Sequence, residues 1–144
     1  MQTWSKTGYI AAAILLLICG IMHVQGIFYG EDLQPQHPDL TALMKSTSVK
    51  MDPTGVVWDL WVGFHAMYGI CLVFMGAVLL ILSIRHHSLL RTQHFMPLLF
   101  LSTVGFFLWI GTRYLITPFV ISMAVILALL LAGYLIGFSQ KKYH

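Results

Sequence analysis

Apolar residues in this chain gather into four long runs, roughly Tyr9–Tyr29, Val56–Ile84, Phe95–Thr112 and Pro118–Phe138, with short polar stretches between them. Each run reaches the ~17–25 residues that a helix needs to cross a hydrocarbon core. The pattern predicts an all-α integral membrane protein. It would be an antiparallel, left-handed bundle of four transmembrane helices, a single domain over residues 1–144, with a long outer loop between helices 1 and 2. The first run lacks a small-residue cleavage site and continues through Met22, His23, Phe28 and Tyr29, so it reads as a span and not as a removable signal.

The connections are unequal. Between the first and second runs, Gly30 to Thr54 covers 25 residues, beyond the ~12–15 at which a loop is usually functional or disordered. Within it, Asp39 to Ser46 suits a short helix with Leu40, Leu43 and Met44 on one face, placed on the membrane surface or over the bundle mouth. Arg85 to His94 reads as a short basic loop. Gly111-Thr112-Arg113-Tyr114 turns the chain into the fourth run, which Thr117 is suited to cap, with Pro118 in its first turn.

Composition agrees with the pattern: the chain is 58% hydrophobic and 9% charged, against roughly 25% charged in soluble domains. Charge then sets a topology. Lys6, Arg85, Arg91, Lys141 and Lys142 fall on one side, and Lys45, Lys50 and Arg113 on the other. The richer side is expected to be cytoplasmic, which places both termini inside in a cell inner (plasma) membrane. All the acids (Glu31, Asp32, Asp39, Asp52 and Asp59) fall on the outer side. The basic excess faces anionic lipid and is no sign of nucleic-acid binding. Cys19 and Cys71 sit inside spans without a Cys-X-X-Cys motif, as small residues at helix contacts.

Ionisable residues inside spans are costly in lipid and point to function. His23 lies on a face of the first span with Cys19, Gly20, Gly26 and Gly30, a spacing that admits either another helix or a flat ligand. His65 lies on a face of the second span with Trp58, Trp61, Tyr68 or Gly69, and Leu72. By helical rise the two histidines sit about 8 Å and about 13 Å below the outer end, close enough to meet with modest tilt. The third span adds Trp109 and Arg113 on one stripe. His23, Trp58, Asp59, Trp61, His65, Tyr68, Trp109 and Arg113, with Glu31 at the rim, are expected to form an aromatic-walled polar pocket opening outward. Each has a bland reading too. The tryptophans suit an interfacial belt, Arg113 and Asp59 a structural ion pair, and the histidines an interhelical hydrogen bond. His86, His87 and His94 lack metal-ligand spacing, so no metal site is expected. Gly133 and Gly137 suit a packing or dimer seam on the fourth span.

Trp58-Asp59-Leu60-Trp61-Val62-Gly63-Phe64-His65, together with Arg113-Tyr114 and Pro118-Phe119 before the last span, resembles the motifs of a group of small bacterial four-span membrane proteins usually described as uncharacterised. That group often has Asn after the Gly-Phe pair, where this chain has His65. The resemblance implies four helices and a polar outer pocket, and no known reaction. A looser analogy is the four-span sterol-isomerase-like domain, without a matching motif.

Three functional readings follow. The first is a small-molecule- or lipid-binding membrane protein or accessory subunit, whose partners are the bilayer, an apolar or amphipathic small molecule, and a homo-oligomer or larger membrane complex. The second is electron transfer through haem b, with His23 and His65 as axial ligands. The third is an isomerase-like enzyme in which His65 or His23 moves a proton on an apolar substrate and Asp59 orients it.

Overall fold

The computed structural model describes residues 2–141; Lys142, counted among the basic residues above, lies outside them. In chain order the elements are helix α1 (Gln2–Tyr29), helix α2 (Pro38–Ser46), strands β1 (Ser48–Val49) and β2 (Asp52–Val56), and helices α3 (Val57–Arg85), α4 (His87–Thr92), α5 (Phe95–Tyr114) and α6 (Thr117–Lys141). Four of these helices, α1, α3, α5 and α6, are long and apolar enough to cross a membrane. Their length and composition suit a multi-pass membrane protein. Large apolar side chains stay exposed along them, among them Phe64, Met67, Ile70 and Phe74 on α3. In water such a surface is an aggregation liability, and in lipid it is the ordinary outer face of a span.

The chain divides into two compact units, Met1–Ile18 with Phe74–His144, and Cys19–Val73. In the larger unit the core is built by Tyr9, Ala12, Ala13 and Leu16 of α1, Leu79 of α3, Phe100 and Val104 of α5, and Met123, Ile126 and Leu130 of α6. Small residues set the helix spacing. A Cβ on Gly8 would lie 3.3 Å from the Cα of Gly133, and the Ser5 hydroxyl donates to the Gly133 carbonyl oxygen at 2.7 Å. The Gly133–Gly137 face is thus filled by α1 of the same chain and is an internal packing seam. Only Leu115 and Ile116 separate α5 from α6, and the Gly111 backbone lies under the Phe119 ring, where a Cβ would meet it at 2.8 Å. Phe119 and Val120 donate their amides to the Ile116 carbonyl, so Thr117 is the first helical residue of α6 and not its cap. Arg85 to His94 is more ordered than a loop, because His87–Thr92 forms α4.

In the smaller unit, α2 begins one residue before the expected helix, with Pro38 in its first turn, where its missing amide costs nothing. Asp39 in the first turn and Lys45 in the last complement the helix dipole. Leu40 and Leu43 remain exposed. After α2 comes a hairpin that the sequence did not suggest: β1 and β2 pair antiparallel, Val49 opposite Asp52, with an irregularity between Ser48 and Val49. The Asp52 carboxylate fixes the start of β2 by accepting from the Thr54 hydroxyl at 2.7 Å and the Thr54 amide at 3.0 Å. The hydroxyl bond first, and the amide bonds after it, hold this carboxyl below the usual aspartate range.

Candidate functional site: a histidine pair between two helices

In the smaller unit α1 and α3 approach so closely that a Cβ on Gly20 would lie 2.7 Å from the Gly69 carbonyl oxygen, and one on Gly69 would lie 2.6 Å from a methyl of Val24. Of the two occupants that the small face of α1 admits, α3 lies against it at Gly20, and Leu33 of the following connection at Gly26. Close backbone contact at Gly20 and Gly69 carries the histidines on the neighbouring turns toward each other. His23 Nε2 and His65 Nδ1 are 2.9 Å apart and share a hydrogen bond. Their rings stack at 5.1 Å between centroids, 30° from parallel. Tyr68, one turn further along α3, meets His23 edge-on at 5.0 Å, and Trp61, one turn earlier, lies against His65 at 4.3 Å. The Trp61 indole N–H donates to the Leu33 carbonyl at 3.2 Å, which ties the connection after α1 to this cluster.

The chemistry of the pair follows from imidazole itself. A neutral ring carries one N–H and one lone pair. If His23 Nε2 donates, His23 Nδ1 is left an acceptor and His65 Nε2 a donor. If His65 Nδ1 donates, both outer nitrogens exchange roles. In either arrangement the pair presents one donor and one acceptor at its two ends, and it changes direction by relocating protons without acquiring charge. An uncharged polar unit of this kind suits a low-dielectric surrounding, where an unpaired ion is expensive. Both rings are half-buried, so the outer nitrogens are not sealed into a core.

The remaining expected residues are distributed differently. Trp58 is half-buried, and the Lys45 ammonium sits 4.9 Å from its ring centroid, a cation–π contact with α2. Asp59 is exposed and not shielded behind the tryptophans. Glu31 is also exposed and lines a separate open hollow of ≈ 500 Å³ with Gln34, Pro38 and Lys45. Trp109 and Arg113 belong to the larger unit, where both are exposed and Trp109 packs on Phe106 at 5.6 Å. Within the smaller unit, then, His23, Trp61, His65 and Tyr68 form one cluster of touching rings. Leu33 is the addition that sequence reasoning missed, since the path of a 25-residue connection decides which carbonyl reaches the indole. Among the described residues, no three His, Cys, Asp or Glu side chains gather as a metal site would require.

Comparison with protein-family models, with curated proteins and with solved structures finds no match to this chain.

Proposed function

We propose that this protein is an antiparallel four-helix membrane bundle of the cell inner membrane, with both termini cytoplasmic, which uses the His23–His65 pair to bind an apolar or amphipathic small molecule or lipid bearing a hydroxyl or carbonyl. The observation that carries the reading is the 2.9 Å bond between two histidines on different spans, walled by Trp61 and Tyr68. One donor and one acceptor at the ends of a neutral pair match a single polar group on an otherwise apolar molecule. Aromatic walls suit the apolar remainder. The likeness to small bacterial four-span proteins adds no ligand to this.

The test is energy transfer from tryptophan to a dansyl-labelled long-chain alcohol, titrated into purified protein in detergent. Saturable transfer that is lost in His65→Phe is the expected result. Transfer that rises without saturation, equally in both proteins, rejects the reading.

A second reading rests on the same bond. A donor and an acceptor linked through a shared proton can protonate one atom of a substrate while deprotonating another, as an isomerase of apolar compounds requires. The geometry favours both readings over haem ligation. A porphyrin would have to separate rings already bonded to each other, next to helices in backbone contact at Gly20 and Gly69.

A further inference from the structure

At the end of the larger unit that carries Lys6 and Arg85, several buried nitrogens lack any hydrogen-bond partner. His87 is 9% exposed, and neither of its ring nitrogens is bonded among the described residues; its ring meets the edge of Tyr9 at 6.1 Å. Arg91, one turn along α4, passes its stem over Gly137, whose missing Cβ would lie 3.8 Å from the arginine Cγ. The Arg91 Nε is buried and unbonded as well. Lys6 of α1 reaches across to the end of α3 and donates to the Ile84 carbonyl at 3.3 Å, which leaves further ammonium protons available. Both Arg91 and Lys6 are near enough to His87 to oppose its protonation, after the effect of burial.

No acidic side chain of this unit can answer these donors. The five acids of the chain, Glu31, Asp32, Asp39, Asp52 and Asp59, all lie in Cys19–Val73, in the other unit. A buried cationic donor at Arg91 Nε and an unbonded neutral imidazole at His87, without an acid in the same unit, call for an external anion, since each unmade bond there costs far more than an exposed one. We propose that Lys6, His87 and Arg91 form a binding site for the phosphate of an anionic phospholipid. A lipid, and not free phosphate, is the source that the surroundings fit. The nitrogens sit where the apolar spans α1 and α3 end, and Ile81 and Ile84 in the last turns of α3, the second of them bonded through its carbonyl to Lys6, stand exposed as a surface for acyl chain. Basic clusters at span ends are a common form of headgroup site. The phosphate oxygens accept one hydrogen bond from the imidazole N–H and others from the guanidinium and ammonium, the latter charge-assisted.

The experiment is native mass spectrometry of the full chain from detergent, titrated with phosphatidylglycerol or phosphatidylcholine. Expected is one tightly held phosphatidylglycerol per chain, with affinity roughly tenfold or more weaker in Arg91→Gln and in Lys6→Gln, and no comparable species with phosphatidylcholine. Lys6→Gln removes a half-buried, helix-end side chain, so it keeps the test available where Arg91→Gln fails to fold. Equal retention of both lipids, or unchanged affinity in a folded variant, overturns the site. If millimolar inorganic phosphate displaces the lipid completely and binds in its place, the lipid assignment is overturned.

Discussion

His23 and His65, 42 positions apart in sequence, use one nitrogen each to close a single hydrogen bond between α1 and α3. Removing one ring leaves the other with a half-buried nitrogen that has lost its partner, while removing both leaves nothing unsatisfied. His23→Phe and His65→Phe should therefore each destabilise the protein by about 1–3 kcal/mol, and the double variant should lose less than the sum. Thermal melts in detergent measure the cycle. Additive losses would mean that the pair contributes nothing as a pair.

Backbone proximity at Gly20 makes a sharper test of the helix contact. Gly20→Ala puts a methyl 2.7 Å from the Gly69 carbonyl oxygen, so the helices must separate, at a cost of about 1–3 kcal/mol. At Gly63 nothing lies within 4 Å. Gly63→Ala should be neutral or mildly stabilising, by up to about 1 kcal/mol. Equal melting temperatures for the two variants would contradict the close approach.

Asp59 and Arg113 are both exposed. Asp59→Asn and Arg113→Gln should each change stability by no more than about 0.5 kcal/mol, far from the ~3–5 kcal/mol lost when one partner of a buried ion pair is removed. A melt of either variant showing a loss of several kcal/mol would reveal a shielded charge.

For His87, burial first, then Arg91 and Lys6, lower the folded-state affinity for a proton. The unfolded chain therefore binds the proton more readily, and stability falls as pH drops below the ~6.5 of a free imidazole, levelling off below the folded-state value. Melting temperatures from pH 7.5 downward, in detergent without anionic lipid, should fall more steeply for the native protein than for His87→Phe. Parallel curves would show that His87 protonates as easily folded as unfolded.

Orientation is open to direct labelling. With the basic ends inside, a cysteine at Ser88 should be protected from an impermeant thiol reagent in intact cells, and one at Thr47 should react. The reverse pattern puts Thr47 inside and Ser88 outside, and rejects cytoplasmic termini.

Much of this was readable in the chain. Long apolar runs announce four span-length helices because few alternatives satisfy so much apolar surface. Their boundaries moved by only a few residues, apart from the start of α1 at Gln2, a polar stretch that the apolar run does not include. The meeting of His23 and His65 was legible because helical rise places them at similar depth and glycines flank both. The β1–β2 hairpin was not legible, since Pro53 argues against a strand and Lys50-Met51 carries no turn signature. α4 was hidden by its brevity, six residues that read equally well as a basic loop. The burial of His87 was not legible locally, since the ring it meets is that of Tyr9, far away in sequence. Its signal was an omission: no acid among residues 1–18 or 74–144.

The bond from Ser5 to Gly133 spans 128 positions of sequence. During synthesis the Ser5–Gly8 face of α1 therefore emerges long before the α6 backbone that covers it. Until α6 is made, the Ser5 hydroxyl lacks the Gly133 carbonyl that accepts from it in the finished fold. The order of translation therefore keeps this seam from closing before α6 is synthesised. A chain stalled before Gly133 would hold its first helix without the partner that fixes it.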